Sequence, residues 1–239
     1  HYLGTYGLLE TIKLSSPSPK PINLFVPGSI AETFERYEMY AKFAKITKIP
    51  PRAKVGTQLY HSNAGNGFTV NVYPIKHCKY SYGFVFQEND KIKFHEEKAH
   101  ALGLKGTLFR EIQKKGKVKL ENGKEVRLED VSWVQPGRKV VYTGDAVPDT
   151  NTIEVAKGAD LLIHEGTFDS SLKDEAIERL HSTVEDAATI AQEAGVKRLI
   201  ITHISPRHSS AIDIQSMESQ AKAIFTSVEI ANDGKIINL

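Results

Sequence analysis

The chain has very little cysteine and no long apolar run. Its single cysteine, Cys78, excludes a framework of disulfide bonds and is typical of a reducing compartment, so we expect a cytoplasmic protein. No segment approaches the roughly 20 apolar residues that a transmembrane helix needs, and the first residues do not have the pattern of a signal or transit peptide. The net charge of +2 over 239 residues gives no overall argument for a nucleic-acid partner but leaves a local one open.

The second half of the chain alternates short apolar runs with amphipathic segments, a pattern typical of α/β proteins. The predicted strands are residues 139–143, 160–163 and 197–202. The predicted helices are residues 151–156, 183–194 and 211–225. Ser182 and Glu185 have capping-box spacing before the second helix, and Gly195 is placed to end it. A hairpin of residues 228–230 and 235–238 is expected at the C-terminal end.

The first half of the chain predicts a mixture of helices and strands. Residues 1–12 have apolar side chains at helical spacing, and residues 22–26 form an apolar run of strand length. A longer helix is expected over residues 30–46, because Ser29 and Glu32 have capping-box spacing before it. Paired antiparallel strands are expected at residues 67–75 and 80–87.

Residues 98–127 carry a local excess of positive charge, with nine lysines and arginines against three glutamates. Asn122 and Gly123 predict a type I′ turn in a hairpin over residues 119–128. The hairpin has few apolar side chains, so we expect it to pack poorly and to project from the domain. Two interpretations remain open: a solvated surface hairpin, or an arm that holds a polyanion through its phosphates.

Polar side chains follow three successive predicted strands. Asp145 follows the first, His164 and Glu165 end the second, and His203 ends the third. Because ligands of open α/β sheets bind at the carboxyl ends of the strands, these side chains are candidates for one shared site. A single histidine at a strand end is more often a packed or solvated residue than a ligand, since histidine is moderately buried by default. The repetition of the pattern is what favours a site.

Two further histidines, His77 after an earlier strand and His181 before a predicted helix, extend this set. Imidazole and carboxylate ligands together suit a divalent cation such as Zn²⁺. An aspartate that bridges two cations, each with its own histidines, is typical of two-metal hydrolytic sites. A serine triad of Ser182, His203 and Asp145 is an alternative on residue types alone, but the chain has no G-x-S-x-G motif to present the serine.

Several segments match one family in order and spacing. They are P-I-K-H at 74–77, T-G-D at 143–145, L-L-I-H-E-G-T-F at 161–168, H-S-T at 181–183 and T-H-I-S-P-R at 202–207. Together they resemble the motifs of ribonuclease Z, the tRNA 3′-processing endonuclease of the metallo-β-lactamase fold. The basic segment resembles the flexible tRNA-binding arm of that family. The first residues, H-Y-L-G-T-Y-G-L-L, are similar to the residues that come after H-x-H-x-D in the same family.

The resemblance implies an α/β fold of the metallo-β-lactamase type, an αββα sandwich without its N-terminal strands and with an inserted basic hairpin arm. It implies one domain over residues 1–239, in which the arm, about residues 96–133, is a tRNA-binding exosite. The metal ligands of the family fall on His1, His77, Asp145 and His203. Asp145 is the ligand that bridges two Zn²⁺ ions. His181 falls on the histidine that assists proton transfer to the leaving group.

Further roles are implied by the same resemblance. The phosphate contacts of the family fall on Ser205 and Arg207, and the planar fork of an arginine can hold two non-bridging oxygens of a phosphodiester. The arm residues expected to contact tRNA are Lys105, Arg110, Lys114, Lys115 and Lys117. His164 and Glu165 match the family pattern without a direct metal role, and we expect them to orient a neighbouring histidine.

The function that the resemblance implies is removal of the 3′ trailer of precursor tRNA. Metal-generated hydroxide would attack the phosphodiester just 3′ of the discriminator nucleotide, and His181 would donate the proton. A homodimer is implied, in which the arm of one subunit helps the site of the other. Two alternatives stay open: a hydrolase or phosphodiesterase of a small substrate, and a catalytically inactive RNA-binding relative. The basic arm argues against the first, and the surviving site residues argue against the second.

Two features depart from the family pattern. Two histidines and one aspartate of the first metal motif are absent, so we expect roughly sixty further residues before His1 to complete the sheet. A measured mass of 26.6 kDa would contradict this expectation; if the 239-residue chain exists as it stands, we expect no activity and weak metal binding. In the arm, Gly106-Thr107 stands where the family has Gly-Pro, and the loss of proline frees the turn.

Overall fold

The computed structural model describes residues 4–36, 43–63, 67–208 and 210–239. The α-helices within them are α1 (Gly4–Ser15), α2 (Gly28–Glu35), α3 (Glu96–Ala101), α4 (Leu108–Lys115), α5 (Leu128–Val131), α6 (Thr150–Ala156), α7 (Lys173–Glu178), α8 (Val184–Ala194) and α9 (Ala211–Ile224). The strands are β1 (Ile22–Pro27), β2 (Ala44–Ile49), β3 (Thr57–Ser62), β4 (Phe68–Pro74), β5 (Tyr82–Glu88), β6 (Lys91–Phe94), β7 (Lys117–Lys119), β8 (Glu125–Arg127), β9 (Ser132–Gln135), β10 (Lys139–Tyr142), β11 (Leu161–Glu165), β12 (Leu199–Thr202) and β13 (Val228–Ile230). None of the helices described has the length and apolar character needed to cross a membrane.

A seven-stranded sheet has the order β13-β12-β11-β10-β5-β4-β3. The strands β10, β11, β12 and β13 run parallel to one another. The apolar runs that predicted strands in the second half of the chain form β10, β11 and β12. Strands β11 and β12 are almost wholly buried, which explains why their sequences are apolar without alternation. The α/β prediction is confirmed, and β4 and β5 are neighbours in the sheet as expected.

Helices α8 and α9 cover the parallel strands. The buried face of α8 is mostly alanine, including Ala187, Ala188 and Ala191, and such short side chains let a helix approach a sheet closely. Met217 and Ala221 of α9, one helical turn apart, belong to the same apolar cluster. This packing holds the carboxyl ends of the parallel strands in place.

Tertiary contacts divide the chain into two compact units. The larger unit comprises His1–Tyr60, Val70–Phe86 and Val140–Leu239, and the smaller unit comprises His61–Thr69 and Gln87–Lys139. The basic segment lies within the smaller unit. The expectation that this segment packs poorly is wrong, because its helices and hairpin bury a cluster of their own. The buried members are Ala99, Leu104, Ile112, Val118, Leu120, Val126 and Val131.

The long helix predicted over residues 30–46 is wrong in its second half. Helix α2 ends at Glu35, and Ala44–Ile49 is the strand β2, which pairs in parallel with β1; residues 37–42 lie outside the described part of the chain. A full ladder with β1 satisfies the backbone of β2, and this pairing overrides the local signals that favoured a helix. The predicted capping box is also wrong, since Pro27 occupies the N-cap without a side-chain hydrogen bond.

A helix cap and the C-terminal hairpin also differ from prediction. Thr183 and Asp186, not Ser182 and Glu185, form the capping box of α8, while Gly195 ends the helix with φ of +60° as expected. Within the described residues the C-terminal hairpin is wrong as well. Strand β13 pairs in parallel with β12 instead, and no strand comes after it.

The turn of the basic hairpin has a different geometry from the one predicted. Gly123 has φ of +82°, but Asn122 is not among the described residues with positive φ, as a type I′ turn would require. The N–H of Gly123 donates to the carbonyl of Leu120, and the N–H of Leu120 donates to the carbonyl of Lys124. The connection is therefore longer than two residues, and only the glycine takes the left-handed conformation.

Candidate metal centre and acid

The candidate site lies where β10, β11 and β12 end. Their parallel register places Tyr142 beside Ile163 and Glu165 beside Thr202. The residues after each strand therefore start from the same edge of the sheet. The structure brings together four of the predicted site residues here. They are His77, Asp145, His181 and His203.

His203 and Asp145 face each other across the strand ends. The Nε2 atom of His203 lies 3.5 Å from Oδ1 of Asp145. The other ring nitrogen, Nδ1, lies 2.7 Å from the hydroxyl oxygen of Thr167. His203 has φ of +60°, a left-handed conformation that is uncommon outside glycine and that is found at functional sites when the surroundings enforce it.

His77 approaches the same aspartate from the loop between β4 and β5. Its Nε2 atom lies 4.0 Å from Oδ2 of Asp145, and its Nδ1 atom lies 2.8 Å from the carbonyl oxygen of Leu180. Because a carbonyl oxygen only accepts, Nδ1 of His77 carries the proton, and Nε2 presents its lone pair on the aspartate side. His77 and His203 thus direct ring nitrogens to opposite oxygens of one carboxylate.

Glu165 is a buried carboxylate that organises the residues around it. Its Oε1 atom accepts hydrogen bonds from the N–H of Ala146 at 2.9 Å and from Nδ1 of His181 at 2.7 Å. Its Oε2 atom accepts from the N–H and hydroxyl of Thr167 at 3.1 and 2.7 Å, and from the N–H of Ser182 at 3.1 Å. With a relative exposure of 1%, the charge is stabilised by these five hydrogen bonds.

Two groupings of these side chains could hold a cation. Glu165, His181 and His203 bring one ligand atom each within 4.8 Å of one another. The alternative is Asp145 with His77 and His203. We favour the alternative, because a metal at Glu165 would have to displace hydrogen bonds that already satisfy both of its oxygens. Around Asp145 the donor set of imidazole nitrogens and a carboxylate fits a borderline divalent cation, and both histidines have their second nitrogen oriented by a hydrogen bond.

His164 has a structural role that differs from the expected one. It is fully buried, its Nδ1 donates to the carbonyl oxygen of Glu165 at 2.6 Å, and its Nε2 has no hydrogen-bond partner among the described residues. Burial lowers the pKa of His164 below the ordinary value, so the neutral ring is favoured. The hydrogen bonds of the structure place the orienting role on Glu165, which contacts His181, and not on His164.

Ser205 and Arg207 come after His203 on a short turn. The N–H of Ser205 donates to the carbonyl of Thr167 at 3.0 Å, which ties this turn to the end of β11. The guanidinium of Arg207 is exposed and donates to Oε1 of Glu175 at 2.9 Å. Their assignment to phosphate binding stays a prediction, and it requires Arg207 to exchange Glu175 for the phosphate.

The serine-triad alternative does not fit the geometry. Ser182 is fully buried, and its hydroxyl donates to the carbonyl of Ala146 at 2.6 Å. A serine nucleophile needs an exposed hydroxyl that a histidine deprotonates.

Among the predicted ligands, His1 lies outside the described residues. Sequence reasoning assigned no role to Thr167, although this residue lies in the 161–168 segment, two residues after Glu165.

The basic arm, residues 96–133, displays its positive charge around the apolar cluster of the smaller unit. Helix α4 ends on Lys114 and Lys115, and Lys117 lies just beyond on β7. Lys115 pairs with Glu111 at 2.7 Å and Lys117 with Glu125 at 3.0 Å. In the part of the chain that the structure describes, no salt bridge engages the other predicted arm contacts. These are Lys105, Arg110 and Lys114.

The chain is similar to known proteins in both sequence and fold. A family model described as a beta-lactamase superfamily domain matches residues 85–204. Ribonuclease Z of Methanosarcina acetivorans is 34% identical over 238 residues, which cover 98% of this chain and 75% of that protein. Ribonuclease Z of Archaeoglobus fulgidus is 36% identical over 239 residues, again covering 98% of this chain and 75% of that protein.

Solved structures of low identity share the fold. Human tRNase Z, short form, has a TM-score of 0.61 at 23% identity, with 100% of this chain and 74% of that chain covered. A metallo-beta-lactamase fold protein of Bacillus subtilis has a TM-score of 0.60 at 19% identity, with 98% and 71% covered. The sequence relatives extend over nearly the whole chain at 34% and 36% identity, and the chain therefore belongs to the ribonuclease Z family, with the metallo-β-lactamase fold.

Proposed function

We propose that the protein is a metal-dependent endoribonuclease that removes the 3′ trailer of precursor tRNA. Cleavage just 3′ of the discriminator nucleotide would leave a 3′-hydroxyl on the tRNA. The relatives named ribonuclease Z, matched over 98% of this chain, support the substrate class. The observation that carries the chemistry is the convergence of His77, Asp145 and His203, with the Glu165–His181 pair beside them.

The cofactor we propose is Zn²⁺, with two ions per complete site. His77, Asp145 and His203 would hold the ions, Asp145 would bridge them, and His1 would add a ligand. Zinc prefers imidazole nitrogen and carboxylate oxygen at such open sites. When bound, the cations make water acidic enough to ionise near neutral pH and offset the charge of the phosphodiester.

His181 is proposed as the general acid. Its Nδ1 atom is 2.7 Å from Oε1 of Glu165, and a carboxylate only accepts, so the proton on this side is fixed. In the imidazolium form, which the Glu165 carboxylate stabilises, the second nitrogen, Nε2, carries the proton that would pass to the 3′-oxygen as its bond to phosphorus breaks. The His181 ring stacks on His203 with centroids 5.3 Å apart, which places the acid next to the candidate metal ligands.

Substrate positioning is proposed for two groups of residues. Ser205 and Arg207 would hold the scissile phosphate, since guanidinium binds two phosphate oxygens at once. The exposed cations of the arm would hold the tRNA at a distance from the scissile bond. Helical RNA is recognised by its shape and backbone, so this contact would select folded tRNA without reading its sequence. Removing the arm should raise KM for precursor tRNA but leave hydrolysis of a small phosphodiester unchanged.

We also propose a cytoplasmic homodimer in which the arm of one subunit serves the site of the other. A mixing experiment tests this arrangement directly. A variant without residues 96–133 and the His181→Ala variant are each impaired on precursor tRNA for different reasons. Mixed dimers would combine an intact site with an intact arm on different subunits, so activity should reappear on mixing. Sedimentation that gives a monomer, or a mixture no more active than its parts, would contradict the proposal.

The main test is cleavage of a precursor tRNA with a defined 3′ trailer by the purified full-length protein. We expect about two zinc ions per chain by elemental analysis and a product that ends in a 3′-hydroxyl after the discriminator nucleotide. His77→Ala and His203→Ala should lose both metal and cleavage, while His61→Ala, a change at an exposed histidine, should lose neither. Full metal content with cleavage of only small diesters would favour a small-substrate hydrolase. RNA binding without metal would favour an inactive relative.

A further inference from the structure

Thr167 connects His203 to Glu165, the partner of His181, through a single buried hydroxyl. Its oxygen lies 2.7 Å from Oε2 of Glu165 and 2.7 Å from Nδ1 of His203. Glu165 in turn holds Nδ1 of His181. We propose that Thr167 is a positioning residue that sets the tautomer of His203 and so prepares it to bind metal. The proposal rests on the assignment of His203 as a metal ligand under the proposed function.

The direction of the two hydrogen bonds is set by the chemistry of the groups. A threonine hydroxyl has one proton and two lone pairs, whereas an ionised carboxylate can only accept. The hydroxyl proton therefore goes to Glu165. Toward His203 the same oxygen can only accept, so the proton of the neutral imidazole must sit on Nδ1. The lone pair of the ring is then on Nε2, the atom that lies 3.5 Å from Oδ1 of Asp145.

This tautomer is the one that the metal needs. A cation binds the lone pair of a neutral imidazole, and a hydrogen bond to the opposite nitrogen fixes which nitrogen offers it. With the proton on Nε2 instead, the ring would present a donor to Asp145 and could not bind metal until the tautomer changed. Thr167 is 6% exposed, so water has little access to replace the hydroxyl.

The hydroxyl, which also lies 3.4 Å from Nδ1 of His181, can be removed without removing the backbone contacts of Thr167. Its N–H donates to Oε2 of Glu165 at 3.1 Å, and its carbonyl accepts from the N–H of Ser205 at 3.0 Å. Both are backbone contacts, and they remain in any variant that keeps the loop. Thr167→Val keeps the shape of the side chain but has no hydroxyl, and Thr167→Ser keeps the hydroxyl but has no methyl group. The pair separates hydrogen bonding from packing.

The first measurement is zinc affinity, by competition with a chromogenic chelator and without RNA. We expect Thr167→Val to weaken zinc binding about 10- to 100-fold and Thr167→Ser to stay within about threefold of the wild type. Wild-type affinity in the valine variant would overturn the proposal. So would an equal loss in both variants, because the methyl group and not the hydroxyl would then be the cause.

The second measurement needs no variant. In the metal-free wild-type protein, ¹⁵N NMR on the neutral ring of His203 should find its proton on Nδ1. A proton on Nε2 would overturn the inference, even if the valine variant fails to fold. Neither measurement depends on RNA cleavage. A protein that meets both expectations but leaves precursor tRNA intact would refute the proposed function and leave the role of Thr167 standing.

Discussion

Glu165 accepts the Nδ1 proton of His181 at 2.7 Å and holds this histidine beside the candidate metal ligands. A carboxylate in contact with one nitrogen of a histidine fixes the ring so that the other nitrogen can exchange a proton with the substrate. In the general-acid role that we propose for it, His181 should matter most where the leaving group needs a proton. Such a dependence distinguishes an acid from a residue that only supports the metal.

His181→Ala should therefore impair substrates unequally. On precursor tRNA the leaving group is a ribose oxygen that must be protonated, and we expect kcat to fall about 100- to 10,000-fold. On bis(4-nitrophenyl) phosphate the leaving phenolate is stable without a proton, and the loss should be below about tenfold if only acid catalysis is removed. Steady-state kinetics on both substrates measure the difference. Equal losses on the two substrates would show that His181 has another role.

His203 gives a prediction about stability, because its φ of +60° lies in the left-handed region. This conformation costs a residue with a Cβ about 1 kcal/mol, a cost that glycine avoids. In the presence of a chelator, the free energy of unfolding of the His203→Gly variant should be about 1 kcal/mol higher than that of the His203→Ala variant. Urea denaturation followed by circular dichroism measures this difference.

The matched control for His203 is Gln192, an exposed residue within α8. In a helix interior glycine is less favourable than alanine by about 1 kcal/mol, so the order of the two variants should reverse there. If glycine is not the more stable variant at position 203, the left-handed backbone does not carry the strain that we assign to it. The comparison would also show that function, not stability, selects histidine at this position.

The ends of the parallel strands were predictable, and the contacts between the residues beyond them were not. Apolar runs mark β11 and β12 because buried strands exclude polar residues, and the first polar residue after each run marks the sheet edge. The hydrogen bond between Thr167 and His203 joins residues 36 positions apart. Its existence depends on how the neighbouring strands are paired, which no local pattern contains.

The errors in the first half of the chain and in the arm have the same cause. Residues 44–49 pair with β1 although their surroundings have helical spacing, because backbone pairing over a long separation outweighs a local preference. In the arm, Leu104 lies in a loop, Ile112 in α4 and Val126 in β8, and they meet only after folding. The segment looks polar along the sequence, and its apolar residues form a core only in three dimensions.

The arm gives a prediction about salt. Lys105, Arg110 and Lys114 are exposed, and the triple alanine variant removes three cations that have no salt bridge among the residues described. Each phosphate contact that the variant removes should reduce the slope of log affinity against log salt by about 0.9 for a duplex. Binding of precursor tRNA by a catalytically inactive His181→Ala protein, measured across a salt series, gives the slope.

A matched triple variant uses exposed lysines outside the arm. Lys157, Lys197 and Lys222 each pair with a carboxylate of the larger unit and are not part of the basic segment. Their replacement by alanine changes the net charge by the same amount, so a general effect of charge would alter both slopes equally. A slope that changes only with the arm residues would locate the tRNA contact there, and an equal change would refute it.

The last prediction concerns pH and His164. Burial lowers the pKa of this histidine in the folded protein below its ordinary value of 6.5. At a pH between the lowered pKa and 6.5, the unfolded chain therefore binds a proton that the folded protein does not. The free energy of unfolding should then fall as the pH decreases below about 6.5, by up to about 1.4 kcal/mol per pH unit from this group. His164→Asn keeps a donor for the carbonyl of Glu165 but does not titrate, and its stability should fall less steeply.

His61→Asn, at an exposed position, is the control, and it should keep the wild-type slope. Parallel curves for wild type and His164→Asn between pH 6.5 and the acid end of the folded range would contradict the prediction, because they would mean that the buried ring takes up its proton without a cost to folding.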